Sequence, residues 1–182
     1  MHPKEFKKVK NNTGFMTHLS LSNSHLFVGI DFTNHKEVNA IIATYSSYVL
    51  FPSDRAINLS KEAMPYSGKA NALFIIDSTW SCAKSIFRAS KNLQELPHVS
   101  FTTLRNSQYQ IKAQPKNNYL STIESVQVVL ELLSSTKQET LKKEQTEGFL
   151  QPFFSMIRYQ KEQIANPKSR AVRFKKTTKA QQ

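Results

Sequence analysis

The apolar run that leads into residue 77 constrains the fold more than any other stretch of the sequence. It reads NALFIID over residues 71–77, and the side chains from Leu73 to Ile76 are all large and apolar. A strand that is buried on both faces has this composition, and such strands are typical of parallel sheets. We therefore predict a strand buried on both faces, which ends at Asp77.

Segments of strand character and helix character alternate along the rest of the chain. Strand composition is found at 25–32, 47–52, 71–77 and 97–102, and a short extended piece is predicted at 109–115. Helical spacing of apolar residues is found at 35–43, 79–96, 121–145 and 148–165. This alternation predicts an α/β fold with a mostly parallel sheet flanked by helices.

Three polar clusters stand where the predicted strands end or where the longest helix begins. FPSDRA follows the 47–52 strand, DSTW ends the 71–77 strand, and NNYLSTIE leads into the helix at 121–145. The last cluster contains the capping box S-x-x-E, from Ser121 to Glu124. Ligands of open parallel sheets bind beyond the carboxyl ends of the strands. The three clusters therefore predict a small-molecule site.

Local structure explains the second cluster about as well as a site does. Asp77, Ser78 and Thr79 are all suited to the N-cap of the following helix. Trp80, the only tryptophan, is in a position that more often belongs to the core than to a ligand platform. Cys82, the only cysteine, is interpreted as a small buried side chain.

The charge of the chain favours a polyanionic partner. Twenty-five Lys and Arg against 13 Asp and Glu give a net charge of +12, which suits nucleic acid. A basic run without acids, between Lys168 and Lys179, carries part of this excess, so the body is only mildly basic. Arg105, Tyr109 and Lys112 place two cations and an aromatic ring on one predicted loop, which suits RNA, although each is also an ordinary solvated residue.

Other classes of function are disfavoured. The four glycines form no phosphate-binding loop, which argues against dinucleotide and nucleoside-triphosphate enzymes. One cysteine and five scattered histidines predict no metal site. No apolar run is long enough to cross a bilayer and the start has no signal-peptide core, so we expect a cytoplasmic protein without a membrane partner. The oligomeric state is not determined by these patterns.

Taken in order, the motifs resemble those of the DTW-domain family. Its D-x-T-W signature is matched by Asp77, Ser78, Thr79 and Trp80, and the resemblance covers roughly residues 1 to 160. The other matching segments are HPKE (2–5), NNTG (11–14), FPSDRAINLS (51–60), AKSIFRAS (83–90), LPHVSF (96–101), SQYQIKAQP (107–115) and LSTIES (120–125).

The resemblance implies a reaction. Members of the family are tRNA-uridine aminocarboxypropyltransferases, which transfer the 3-amino-3-carboxypropyl group from S-adenosylmethionine to N3 of a tRNA uridine and release methylthioadenosine. The resemblance also implies a SPOUT-like fold, and it allows a trefoil knot, which periodicity does not test. We assign a catalytic domain to residues 1–165, without the family's usual amino-terminal cysteine-rich segment, and a basic tail to 166–182.

The family motifs give each candidate residue a role. Asp77 is the candidate general base for the uridine imide, or it orients the cationic donor. Ser78 stands where the family often has glycine, and Gln110 where it has a second cation; these departures bear on substrate affinity more than on reaction class. The predicted donor-binding residues are Phe51, Pro52, Ser53, Ser78, Thr79, Trp80, Leu120, Ser121, Thr122 and Glu124, and the predicted RNA-binding residues are Arg88, Arg105, Tyr109 and Lys112.

Two other functions remain open from the sequence. One is a SPOUT-like RNA methyltransferase that uses the same donor, which the mass of the RNA product distinguishes. The other is a catalytically silent RNA-binding relative, which binding of the donor distinguishes.

Overall fold

Four short strands form one parallel sheet. The computed structural model describes residues 1–8, 11–65, 67–109 and 119–166. Its strands are β1 (Ser46–Leu50), β2 (Ile57–Asn58), β3 (Asn71–Ile75) and β4 (His98–Ser100), in the order β2-β4-β1-β3. All three pairings are parallel, and Val49 of β1 lies between Phe74 and His98. The prediction of a mostly parallel α/β fold is confirmed.

Helices precede, connect and follow these strands. In chain order they are α1 (Pro3–Lys8), α2 (Thr13–Leu19), α3 (Lys36–Thr44), α4 (Trp80–Ala89), α5 (Lys91–Gln94), α6 (Thr122–Ser135), α7 (Lys143–Gly148) and α8 (Gln151–Ala165). The capping box predicted at the start of α6 is present, with Ser121 as the N-cap residue and Glu124 as its partner.

Helices cover both faces of the sheet. Since successive side chains of a strand point in opposite directions, neighbouring residues of β1 contact different helices. Val49 packs with Val38 of α3 and Ile86 of α4 on one face. Its neighbour Tyr48 packs with Val129 of α6 on the other face. Helix α6 in turn packs against α8 in a third apolar cluster, which includes the completely buried side chains of Ile123 and Phe153.

The interpretation of 71–77 as a strand buried on both faces is wrong in one respect. Strand β3 is half-buried, because within the described part of the chain it pairs with β1 alone and lies at the edge of the sheet. Its outer side borders a cavity of about 1,070 Å³.

The strand predicted at 25–32 is absent from the structure. The backbone of this segment is bonded elsewhere: the Phe27 carbonyl accepts from the Met1 ammonium group at 2.8 Å, and the Gly29 amide donates to the Met1 carbonyl at 3.2 Å. The Phe32 amide donates to the Ser90 hydroxyl at 3.0 Å. The segment therefore packs beside the helices without joining the sheet.

Two predicted helices are too long. The helix predicted at 79–96 breaks at the buried Ser90, whose backbone leaves the helical conformation between α4 and α5. The helix predicted at 121–145 ends at Ser135, since Lys137 adopts a left-handed conformation with φ of 56°. Of the extended piece predicted at 109–115, only Tyr109 lies within the described residues.

Candidate active site

Asp77 lies just beyond the carboxyl end of β3, and its side chain is buried. It is 7% exposed, and its Oδ1 atom accepts a hydrogen bond from the Thr122 hydroxyl at 2.7 Å. Its Oδ2 atom is buried and has no hydrogen-bond partner in the described part of the chain. A buried polar atom without a partner costs free energy in proteins, and such atoms concentrate at functional sites. Asp77 therefore has one buried carboxylate oxygen that no described residue satisfies.

Two amino-terminal segments converge on the same residue. The His2 amide donates to the Asp77 carbonyl at 3.2 Å. Gly14, in the first turn of α2, lies so close to the Asp77 carboxylate that a Cβ atom added there would overlap it. Asn12 fixes the start of this helix, because its side chain accepts from the Phe15 amide at 2.9 Å. The HPKE and NNTG segments, which matched the family without an assigned role, thus form part of this site.

The charge of Asp77 acts on a neighbouring cation. Burial lowers the pKa of the Met1 amino group below its ordinary value of 8.0, and attraction to Asp77 opposes this shift. The free carboxylate therefore favours positive charge in its surroundings.

The cavity beside β3 reaches Asp77. Its lining includes the polar side chains of Asp77 and Thr122, the backbone of Gly14, and the apolar side chains of Ile76 and Val126. Other polar residues, among them His18, Asn71 and Gln138, also line it, and a concave site with both apolar walls and polar groups suits a small molecule.

Glu124 differs from Asp77, because donors saturate its carboxylate. Its Oε2 atom accepts from the Ser107 hydroxyl at 2.9 Å, from the Ser121 amide at 2.8 Å and from the Ser121 hydroxyl at 2.6 Å. Its Oε1 atom accepts from the Gln108 amide at 2.6 Å. These bonds hold the segment before residue 110 against the start of α6. Glu124 and Ser121 therefore position the backbone in this structure.

The FPS cluster is held by a histidine that sequence reasoning missed. The Ser53 hydroxyl lies 2.7 Å from Nδ1 of His98. Arg55 donates to Nε2 of His98 at 3.2 Å and to the Gln94 carbonyl at 2.7 Å. Since Nε2 accepts, Nδ1 carries the proton and donates to Ser53. Burial, and then the Arg55 charge, hold the pKa of His98 below its ordinary value of 6.5.

The aromatic residue of this cluster faces helix α4. The Phe51 ring stacks on Phe87 of α4 with centroids 4.1 Å apart. The structure thus joins the second and third predicted clusters, through Asp77 and Thr122, but it ties Phe51 and Ser53 to other partners. Pro52 is exposed. No signal in the spacing of the five histidines marked His98, because only the sheet register brings it beside Ser53.

The residues between β3 and α4 do not form the expected cap. Thr79 occupies the N-cap position of α4, and its side chain makes no capping hydrogen bond. Of the three residues suited to the N-cap, Thr79 occupies the position and Asp77 does not. Cys82 is also only partly buried, against the expectation of a buried side chain, and a hydrogen bond with Thr79 is the main cause that lowers its pKa.

The other predicted donor residues lie around the starts of α4 and α6. Trp80 is 44% exposed, and its ring contacts Tyr119 with centroids 5.5 Å apart. Leu120 borders a separate cavity of about 240 Å³, together with Arg105 and Glu124. Ser78 is partly buried.

The predicted RNA-binding residues have different surroundings. Arg88 is exposed on α4. Arg105 forms an ion pair with Glu131 at 2.8 Å. Tyr109 packs edge-on against Phe153, with centroids 5.5 Å apart, and burial raises its pKa. Lys112 lies outside the described residues.

Two searches of the described ranges gave negative results. Within residues 1–8, 11–65, 67–109 and 119–166, no group of three or more His, Cys, Asp or Glu side chains is arranged to hold a metal ion. The helices in those ranges include none that is long and apolar enough to span a membrane.

Comparison with known proteins agrees with the motifs. The family described as DTW domain matches residues 1–161. The chain belongs to the DTW-domain family. No solved structure matches it significantly.

Three curated relatives carry the name tRNA-uridine aminocarboxypropyltransferase 2. The Macaca fascicularis protein is 30% identical over 145 residues, which cover 77% of this chain and 49% of the relative. The Drosophila melanogaster protein is 29% identical over 164 residues, or 87% of this chain and 62% of the relative. The Mus musculus protein is 31% identical over 118 residues, or 63% and 40%. The chain thus spans about half the length of the curated relatives it matches.

Proposed function

We propose that the protein transfers the 3-amino-3-carboxypropyl group of S-adenosylmethionine to N3 of a uridine in tRNA and releases methylthioadenosine. The names of the relatives support the reaction class. The observation that carries the proposal is the buried Oδ2 atom of Asp77, which has no partner among the described residues although four family motifs meet around it. A tRNA substrate also agrees with the cytoplasmic location expected from the sequence.

The surroundings of Asp77 suit this donor. S-adenosylmethionine supplies an electrophilic carbon next to a positively charged sulfur. The Asp77 carboxylate favours a cation, and the adjoining cavity offers apolar walls to the rest of the donor. Thr122, predicted as a donor-binding residue, acts here by fixing one oxygen of the carboxylate, while the other has no partner among the described residues.

Asp77 has two roles in this proposal that are compatible with one geometry. In the reaction the N3–C bond forms, the C–S bond breaks, the sulfur keeps the electron pair, and the N3 proton leaves. The free Oδ2 atom is the candidate acceptor of that proton. The same charge holds the cationic donor in place before the bond forms, and positioning of two bound reactants contributes much of the rate.

The predicted contacts other than Trp80 are also part of the proposal. Phe51, Pro52 and Ser53 follow β1 on the carboxyl side of the sheet, and His98 holds Ser53 there. Leu120 and Ser121 lie beside Thr122 at the start of α6. The net charge of +12 supports tRNA as the partner.

Product analysis tests the proposal. The protein is incubated with unmodified tRNA and S-adenosylmethionine, and the nucleosides are analysed by mass spectrometry. We expect uridine to gain the mass of the aminocarboxypropyl group. A gain of one methyl group identifies a methyltransferase instead, and donor binding without any product contradicts the proposal.

Asp77→Asn tests the role of the carboxylate. The variant keeps an oxygen for Thr122 but loses the charge and the base, and we expect the transfer rate to fall about 10²- to 10⁴-fold. Asp31→Asn, which alters an exposed carboxylate that accepts from the Thr33 amide, is the control. Full activity of Asp77→Asn with normal donor affinity excludes Asp77 as the base.

A further inference from the structure

One face of α4 combines an aromatic ring with two cations. Trp80, Lys84 and Arg88 are spaced four residues apart and are all exposed. Residues at this spacing lie on one side of a helix. Ala83 and Ile86, on the other side, are buried, and Ile86 packs against the sheet. The exposed face of α4, defined by Trp80, Lys84 and Arg88, begins three residues after Asp77.

The two cations on this face are available to an outside partner. Lys84 and Arg88 form no ion pair or side-chain hydrogen bond with any residue that the structure describes. Helix α4 contains no Asp or Glu. Arg105 and Arg55 contrast with them, because Glu131 binds the first and the Gln94 carbonyl binds the second.

Trp80 is also available. It is 44% exposed, and its described ring contact is with Tyr119. It does not line the cavity that reaches Asp77. An indole ring outside the small-molecule cavity and beside free cations has the chemistry of a stacking platform for nucleic-acid bases.

We propose that the exposed face of α4 binds the tRNA strand next to the target uridine, with Trp80 stacked on a base and Lys84 and Arg88 on phosphates. This inference rests on the proposed function for the identity of the RNA. It assigns Trp80 to the RNA, although the motifs predict it as a donor-binding residue, and it adds Lys84, for which they predict no role. Aromatic stacking and phosphate contacts together are typical of proteins that bind a splayed single strand.

The intrinsic fluorescence of the protein tests the inference directly, because Trp80 is its only tryptophan. The full chain is titrated separately with unmodified tRNA, with a uridine oligonucleotide and with S-adenosylmethionine. We expect both RNAs to quench the fluorescence and the donor to leave it unchanged. Quenching by the donor with no response to RNA overturns the inference.

Binding measurements with variants provide the second test. Trp80→Ala should weaken tRNA binding about tenfold and leave donor affinity unchanged, and Trp80→Phe should restore most of the loss. Tyr159→Ala, which alters an exposed aromatic residue on α8, is the control. If Trp80→Ala lowers donor affinity while tRNA affinity stays the same, the inference is wrong.

The salt dependence of binding tests the two cations. Lys84→Gln and Arg88→Gln should each lower the slope of log affinity against log salt by about one, whereas the exposed Lys61→Gln should not. Unchanged slopes for both variants contradict the phosphate contacts. If quenching and salt slopes are as expected but no transfer product forms, the exposed face of α4 binds RNA and the proposed function is refuted. If the product forms without quenching or altered salt slopes, the proposed function holds and this inference is refuted.

Discussion

Asp77 and Glu124 are both buried carboxylates in family motifs, yet their surroundings differ. Asp77 is 7% exposed and Glu124 is 5% exposed. Four hydrogen bonds saturate both oxygens of Glu124. Asp77 receives one side-chain hydrogen bond, and its second oxygen has no partner in the described ranges. The comparison teaches that two buried carboxylates in family motifs differ in hydrogen-bond satisfaction: Glu124 holds neighbouring segments together, whereas one oxygen of Asp77 has no described partner.

The start of α6 serves both residues. Thr122 donates to Asp77, and Ser121 donates twice to Glu124. The capping box therefore does two things: it fixes the start of α6, and it places the adjacent Thr122 hydroxyl beside Asp77.

Gly14→Ala is expected to have the largest effect of the changes that test this comparison. The added methyl group displaces the Asp77 carboxylate, and a displacement on the order of 1 Å costs about 10²-fold in rate. Stability should also fall, because overpacking this buried contact costs about 1–3 kcal/mol, which exceeds or offsets the gain of about 1 kcal/mol from alanine in a helix. Transfer rate and unfolding in urea are the measurements.

Gly148→Ala is the matched control, since nothing lies within 4 Å of a Cβ atom at that position. If Gly14→Ala is fully active, the position of the Asp77 carboxylate does not matter and the comparison fails.

Glu124→Gln should act on stability. The amide cannot accept at both ends, so buried donors of Ser107, Ser121 or Gln108 lose their partner, and the free energy of unfolding should fall by about 1–3 kcal/mol. Urea unfolding checks this. Glu131→Gln, on the same helix but in the partly exposed pair with Arg105, should cost at most about 1 kcal/mol. Equal effects of the two changes would show that the bonds of Glu124 are not structural.

His98 extends the comparison with a pH dependence of stability, which is the smallest of the three predicted effects. Both of its ring nitrogens have partners, so it belongs with Glu124. Burial and Arg55 lower its pKa in the folded state, so the unfolded chain binds the proton more readily. The stabilisation is present above pH 6.5 and decreases as the pH falls below that value.

Urea unfolding at pH 7.5 and at pH 5.5 measures this effect. The decrease should be smaller in His98→Asn, which lacks the titrating group, and unchanged in His25→Asn, where the histidine is exposed. A decrease that is identical in His98→Asn assigns the effect to other groups.

Sequence patterns correctly predicted the elements that depend on neighbouring residues. The apolar run at 71–77 gave β3, and S-x-x-E gave the start of α6, because strand composition and helix capping depend on neighbouring residues. The prediction of a strand at 25–32 was wrong because the hydrogen bonds of this segment go to Met1 and Ser90, which are distant in sequence. The helix break at Ser90 has the same origin.

In the candidate site, too, the sequence predicted residues but not the contacts between them. The motifs named Asp77 and Thr122, but nothing in their spacing shows that one donates to the other at 2.7 Å. His98 was missed, because only the pairing of β1 with β4 brings it beside Ser53. Trp80 is absent from the lining of the cavity beside β3, which the sequence does not show.

The sequence by itself determined the alternation of strands and helices, the ordered family motifs and the residue types of the site. Each of these depends on local propensity or on matched residues in the chain. Only the tertiary structure decided which of two buried carboxylates is saturated and which is free. The physical reason is that burial and hydrogen-bond satisfaction depend on packing between distant segments, here residues 2, 14, 77 and 122.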